Sequence, residues 1–201
     1  MEELESLIEN NLGVKFRCEP AGAIKGEFVA NTTSILSAGS DEEQLHMLNE
    51  ALGVEASNFI EFFKKYNGAV FFQDNLSDTS ALKIHPISEW NTITEEAKEW
   101  YEMLDEEELE EAGIDWLESC VAFAEVPHSG NYFVVALDGV SKGKIIYSDH
   151  DGLESEVYAN SIVEFLSRFL SNPVEEMEHL GCFTRYDDGE SELQWIPVGV
   201  V

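Results

Sequence analysis

The chain has 201 residues, of which 44% are hydrophobic, and this length suits one domain with a sizeable core. Its 41 acidic residues far outnumber its 11 basic ones, which gives a formal net charge of −30. Such a charge disfavours nucleic acid and anionic membrane surfaces as partners, and it favours a basic protein. Solubility alone is the competing explanation of the charge.

The ends of the chain and its cysteines bear on the compartment. The N-terminal sequence MEELESLIENN is acidic and lacks the basic region of a secretory signal, and the apolar runs are too short to span a membrane. Cys18, Cys120 and Cys182 are odd in number, far apart and outside any C-x-x-C pair. We therefore expect a reduced, cytoplasmic protein with its cysteines in the core.

The first part of the chain alternates helix and strand signals. Apolar residues at helical spacing predict a short amphipathic helix over residues 2–11, and residues 14–40 are typical of strands or loop. The segment SDEEQLHMLNEALG predicts a helix that Ser40 or Asp41 caps and Gly53 ends.

A helix with one aromatic face is predicted over residues 57–66, because its phenylalanines and tyrosine recur at intervals of three and four. Asn67 and Gly68 tolerate positive φ, which ends a helix and reverses the chain. The segments AVFF and ALKIHPI that follow are predicted strands.

An acidic segment comes next. Thr92 and Glu95 are spaced as a capping box for a helix that continues to about Leu104. From Glu95 to Glu118 there are twelve acidic residues and one lysine. Such a run is typical of a solvated face, but interleaved Trp, Leu and Ile residues predict that it is folded and anchored.

Three strand-like runs follow, CVAFAEVP, NYFVVALD and GKIIYSDHD, with turn residues at 129–131 and 139–143, so we expect a meander.

The C-terminal part begins with another predicted helix, which Asn160 or Ser161 caps and which Pro173 ends or follows. Residues 174–201 are expected to add a short helix and a hairpin turning at residues 187–189.

Two segments carry a family resemblance. LNEALGVEASNFIEFFKKYNGAVFF and GNYFVVALDGVSKGKIIYSDHDGLESEVYANSIVEFLSRFL, with the spacing between them, resemble the SUKH superfamily of Smi- and Knr-type proteins over about residues 45–170. The resemblance implies an α+β fold, with a single mixed or antiparallel β-sheet flanked by helices. It implies one domain over 1–201, with a core of about 41–171 between extensions at 1–40 and 172–201.

The same resemblance implies a binding function rather than an enzyme. Bacterial members of the family are widely immunity proteins, which bind and neutralise a toxin delivered between competing cells, often a nuclease. Other members act as intracellular regulators or scaffolds, so a regulatory binding module is the alternative. Neither function implies a cofactor or a metal.

Catalysis is the third hypothesis. Asp149-His150-Asp151 could supply ligands or an acid and base, but successive strand residues point to opposite faces. Cys120 with His128 could form a nucleophile and base, although a buried cysteine at a strand start is commoner. No P-loop, dinucleotide fingerprint or G-x-S-x-G motif is present, so a hydrolase using Asp149, His150 or Cys120 remains only a second alternative.

The acidic segment is the predicted partner-binding site. Trp100, Tyr101 and Trp116 could anchor an interface there, or they could face the core, and we expect Trp100 to be buried. Carboxylates in the segment could meet lysine and arginine of a basic partner. The predicted contact residues are Glu95, Glu96, Glu99, Glu102, Asp105, Glu106, Glu107, Glu108, Glu110 and Glu111.

Overall fold

Nine strands form one sheet in the computed structural model, which describes residues 2–21, 28–76, 79–102, 104–150, 154–182 and 194–201. The strands are β1 (Lys15–Ala21), β2 (Phe28–Leu36), β3 (Ala69–Asp74), β4 (Leu82–Ile84), β5 (Cys120–Val126), β6 (Asn131–Ala136), β7 (Ile145–Asp149), β8 (Glu154–Ala159) and β9 (Gln194–Val200).

Helices flank this sheet, which confirms the predicted α+β class. They are α1 (Glu2–Asn10), α2 (Glu42–Leu52), α3 (Ser57–Lys65), α4 (Trp90–Glu99), α5 (Glu106–Glu111), α6 (Ile162–Ser171) and α7 (Pro173–His179). Two 3₁₀ turns, Gly53–Ala56 and Ile87–Glu89, lead directly into α3 and α4.

The sheet is a meander to which the last strand is added. Its order is β8-β7-β6-β5-β4-β3-β2-β1-β9, and the described strand pairs are antiparallel. The predicted meander over β5, β6 and β7 is confirmed. Both ends of the chain contribute strands, because β9 pairs with β1 at one edge.

Aromatic residues fill the core on the side of the sheet that α3 and α6 cover. Phe63 of α3 packs edge-on against Trp90 with ring centroids 5.1 Å apart. Phe165 of α6 packs against Phe123 and Phe133 of the sheet at 5.4 and 4.8 Å. All five rings are at most 1% exposed, so they supply much of the apolar burial that stabilises the fold.

Most helix boundaries follow the local signals. Asp41 accepts a hydrogen bond from the Gln44 amide while the Gln44 side chain accepts from the Asp41 amide, a complete capping box. Gly68 after α3 has φ of 101°, and a Cβ there would lie 2.9 Å from the Ile84 carbonyl oxygen. The predicted chain reversal at this glycine is therefore confirmed, and the close approach of β4 requires glycine.

The predicted capping box of Thr92 and Glu95 is wrong. The 3₁₀ turn at Ile87–Glu89 runs straight into α4, so the helix already begins at Trp90 and Thr92 lies inside it. The helix also ends at Glu99, rather than near Leu104.

The C-terminal helices agree with expectation more closely. The Ser161 hydroxyl accepts from the Glu164 amide and caps α6, while Pro173 starts α7 at a position that suits proline. The predicted hairpin turn at residues 187–189 lies outside the described residues.

Candidate partner-binding surface

Helix α4 presents carboxylates because its opposite side is fixed in the core. Trp90, Ile93 and Ala97 are buried, whereas the predicted contact residues Glu95, Glu96, Glu99 and the following Glu102 are exposed. The cation of this helix, Lys98, donates to the Glu118 carbonyl at 3.3 Å and lies two residues from Glu96 and from Trp100, roughly across the helix. Glu96 therefore faces solvent on the side of α4 away from this lysine, whereas Glu95, three residues before Lys98, occupies a neighbouring position on the helix surface.

Apolar side chains anchor the acidic segment after α4, as predicted. Tyr101 and Trp116 are 1% and 2% exposed and pack edge-on with centroids 5.8 Å apart. The Tyr101 hydroxyl bonds to Ser148 of β7, and the Trp116 indole N–H donates to Ser155 of β8 at 3.3 Å. Ser148 and Ser155 are cross-strand partners, so the segment packs on one face of β7 and β8.

Two of the predicted contact carboxylates serve the local fold. Asp105 Oδ1 accepts hydrogen bonds from the Glu107 and Glu108 amides, both at 3.0 Å, and Glu108 Oε2 accepts from the Asp105 amide at 2.9 Å. This capping box starts α5. Asp105, Glu107 and Glu108 are exposed, and Glu106, Glu110 and Glu111 lie on the same short helix.

Trp100 is 45% exposed, so the expectation that it is buried was wrong. Its indole stacks on the His150 imidazole, with centroids 4.2 Å apart and a tilt of 42°. Trp100 keeps helical φ and ψ, so it follows the exposed Glu96 by one turn, while Tyr101 follows the buried Ala97 by one turn and takes the buried position. The protein thus displays an indole beside the carboxylates of α4.

Gly130 fits beneath this pair of rings. It has φ of +78°, and a Cβ there would lie 2.9 Å from His150 Nδ1 and 3.1 Å from Trp100 Cζ2. Glycine is required on both counts, since an added methyl group would strain the backbone and push the rings away. We call Trp100, His150, Gly130 and the adjacent Asn131 the Trp100 platform.

Asn131 fixes the orientation of the imidazole. Its Oδ1 accepts from the His150 backbone amide at 3.1 Å and from Nδ1–H at 2.8 Å, so Nδ1 carries a proton. Its Nδ2 donates to the Tyr147 hydroxyl at 2.7 Å, which in turn donates to the Leu180 carbonyl at 3.2 Å. Burial raises the Tyr147 pKa, so this hydroxyl stays protonated. Gly130 and Asn131, which lie in the predicted turn at residues 129–131, thus hold the exposed ring in place.

The pKa of Tyr132, the residue after Asn131, is raised by burial and by nearby carboxylates of α4 and β5. Burial, followed by the negative charges of Glu125, Glu96 and Glu99, raises its pKa to about 12. Its hydroxyl lies 3.5 Å from Glu96 Oε2. Carboxylates of α4 and β5 therefore lie near the Tyr132 hydroxyl.

Two of the candidate catalytic residues, Cys120 and His150, are engaged in contacts of the fold. Burial raises the pKa of the Cys120 thiol to about 11, and its Sγ is directed to the Leu117 carbonyl at 3.5 Å. Thiolate, the nucleophilic form, is thereby suppressed at neutral pH. His150 is engaged by Trp100 and Asn131, while Asp151 lies outside the described residues. Within the described ranges, no group of three or more His, Cys, Asp or Glu side chains could hold a metal ion.

A buried histidine joins the 3₁₀ turn before α4 to the sheet, which the sequence did not indicate. The His85 side chain is 4% exposed, and its Nδ1 lies 2.7 Å from Glu89 Oε2. Its Nε2 lies 3.0 Å from Glu125 Oε1, an ion-pair contact that is poorly aligned for a hydrogen bond. Burial alone would raise the Glu125 pKa, but His85 and then Lys83 lower it.

The chain thus forms an α+β domain that displays a fixed aromatic ring beside the carboxylates of α4. The sequence profile of the SMI1 / KNR4 family (SUKH-1) matches residues 39–168, which is more than half of the chain. The protein therefore belongs to this family. The match includes the whole Trp100 platform and all the predicted contact residues.

No curated protein matches the chain. Among the described residues, no helix has both the length and the apolar character that crossing a membrane needs.

Proposed function

We propose that this protein is a cytoplasmic immunity protein that binds a cognate toxin one-to-one and neutralises it. The half-exposed Trp100, held beside the exposed carboxylates of α4, is the observation that carries the proposal. Fixed aromatic side chains are typical energetic centres of protein interfaces, and surrounding charges steer encounter. Family membership supports the proposal, since the family includes immunity proteins.

A basic toxin domain fits this surface best, with a nuclease as the preferred class. The net charge of −30 is opposite in sign to the groove with which a nuclease holds phosphate. Carboxylates seated in that groove would exclude the substrate without any covalent chemistry. Neither nucleic acid nor an anionic membrane is a partner in this proposal, because both would be repelled.

Purification of the tagged protein from its native cells at low salt tests the proposal, with co-purifying proteins identified by mass spectrometry. One basic partner at a one-to-one ratio is the expected result. A set of housekeeping proteins would instead support an intracellular regulatory or scaffold module. Matched purification at high salt, which should release a charge-steered partner, separates specific capture from background.

A further inference from the structure

We infer that the Trp100 platform receives an arginine side chain of the partner, which stacks on the exposed surface of the indole. This inference deepens the proposed function and rests on it for the identity of the partner. It names the chemistry that the surface recognises: a planar cation supplied by a basic protein segment.

The exposure of this indole is the first reason. Trp90 and Trp116 are buried, whereas Trp100 leaves 45% of its surface in solvent. One side of Trp100 is packed against His150 and Gly130. The 45% of the residue that stays exposed is the aromatic area available to a partner.

The ring is also held in advance of binding. A chain of hydrogen bonds runs from the Leu180 carbonyl through Tyr147 and Asn131 to His150, on which Trp100 stacks. Rigid placement lowers the conformational entropy that binding would otherwise lose. A side chain exposed by accident would not need glycine beneath it or a buried asparagine to orient its neighbour.

The charge around the ring selects the ligand. Glu96 lies one helical turn before Trp100, which keeps helical φ and ψ, and Glu99 and Glu102 are close in sequence. All three carboxylates are exposed, and Glu96 and Glu99 act together on the hydroxyl of Tyr132. An anionic group would be repelled here, while a cation gains from both the π face and the carboxylates.

Arginine suits this arrangement better than lysine. Its guanidinium is planar and weakly hydrated, so it can stack on an indole while its N–H groups bond to carboxylates in the ring plane. A lysine ammonium is compact and strongly hydrated, and it responds mainly to charge.

Two blocked peptides of equal charge, tri-arginine and tri-lysine, test the inference without any toxin. They are titrated into ¹⁵N-labelled protein, and the Trp100 indole N–H resonance, assigned with Trp100→Phe, reports binding. The arginine peptide should bind about two- to fivefold more tightly, as expected for an exposed cation–π contact. Because Trp100→Leu lacks this indole, its binding is followed at the backbone amide resonances of Gly130 and Asn131. The variant should lose the preference and bind the two peptides weakly and equally.

Control variants separate stacking from charge. Glu96→Gln with Glu99→Gln should weaken the binding of both peptides but leave the arginine peptide the tighter one, because the ring remains. Leu76→Ala, at a residue that is 93% exposed, should change neither affinity. Equal affinity for the two peptides in the unmodified protein, or an arginine preference that survives Trp100→Leu, would overturn the inference.

The outcome is independent of the toxin hypothesis. A preference for arginine that depends on Trp100, in a protein that inhibits no toxin, would support the arginine site and contradict the immunity function. Toxin inhibition without that preference would support the immunity function and contradict the arginine site.

Discussion

The indole of Trp100 stacks on the imidazole of His150, with ring centroids 4.2 Å apart. Fifty residues separate the two in sequence, and the contact joins the end of α4 to the end of β7. Trp100 was predicted to lie in the core, and this contact instead holds its side chain at the surface. Tests of the binding surface therefore begin with the residues that hold this pair.

Gly130→Ala should displace the platform. The added Cβ would lie 2.9 Å from His150 Nδ1 and 3.1 Å from Trp100 Cζ2, in a backbone with φ of +78°. Gly113→Ala is the matched control, because Gly113 has φ of +70° but no atom within 4 Å of the added group. Both variants should lose about 1–2 kcal/mol through backbone strain. Only Gly130→Ala should also change the quenching of Trp100 fluorescence by acrylamide, and identical quenching in both would contradict the contact.

Charge reversal on α4 should weaken partner binding without unfolding the protein. Glu95→Lys with Glu99→Lys alters two exposed carboxylates, and Glu175→Lys with Glu178→Lys makes the same change on α7. We expect about a tenfold loss of affinity for the α4 pair, mainly through slower association, and little change for the α7 pair. Equal losses, measured by surface plasmon resonance, would show that net charge rather than this surface controls binding.

Association with the partner should slow as salt rises. The net charge of −30 attracts a basic protein over a distance set by the Debye length, which falls from about 10 Å at 0.1 M to about 3 Å at 1 M. Stopped-flow measurement over this range should show an association rate that drops steeply and a dissociation rate that changes little. An association rate that is independent of salt would assign the charge to solubility alone.

Asp105→Ala should loosen α5 rather than act through the partner. The Asp105 carboxylate accepts from the Glu107 and Glu108 amides, and loss of such a cap typically costs about 1 kcal/mol. Hydrogen exchange at these two amides should accelerate about fivefold, by conversion of that energy. Glu107→Ala is the control, because it removes a charge from the same helix but no capping carboxylate. Unchanged exchange in Asp105→Ala, or equal acceleration in Glu107→Ala, would contradict the capping role.

The carboxylate of Glu125 should make stability depend on acid pH. His85 and Lys83 lower its folded-state pKa despite burial, so ionised Glu125 stabilises the fold above its unfolded pKa. That contribution is lost as the pH falls through the folded-state pKa. Glu125→Gln should lower the free energy of unfolding at pH 7 by about 1–3 kcal/mol and reduce the loss on acidification. Urea unfolding across pH checks this, with the exposed Glu43→Gln as control, and an unchanged acid limb would contradict it.

Helix caps and turns could be predicted from the sequence, because neighbouring residues determine them. Asp41 with Gln44 and Ser161 with Glu164 satisfy the first amides of their helices, and positive φ at Gly68 reverses the chain. Such signals act within a few residues, so they are visible without the fold. The meander was predictable for the same reason, since short turns between strands favour antiparallel neighbours.

The wrong predictions concern features that depend on residues distant in the sequence. The start of α4 is set by burial of Trp90 against Phe59, Phe63 and Phe123, which no capping rule detects. Trp100 is exposed because His150 and Gly130 supply a stacking surface from another part of the chain. Helical periodicity cannot distinguish this residue from the buried Tyr101 beside it.

The site was predictable in part. Exposure of Glu95, Glu96 and Glu99 follows from the apolar spacing of α4, so the acidic run indicated that surface correctly as solvent-facing. The second role of Asp105 and Glu108 was hidden, because a run of acids contains many pairs at capping distance. His85 was missed since its two carboxylate neighbours come from different elements.

Titration of the captured partner's toxic activity with this protein tests the immunity function most directly. Inhibition should be complete at one equivalent, and Trp100→Ala should require a higher concentration for the same inhibition. Activity that persists with the unmodified protein in excess, although the two proteins bind, would contradict the account.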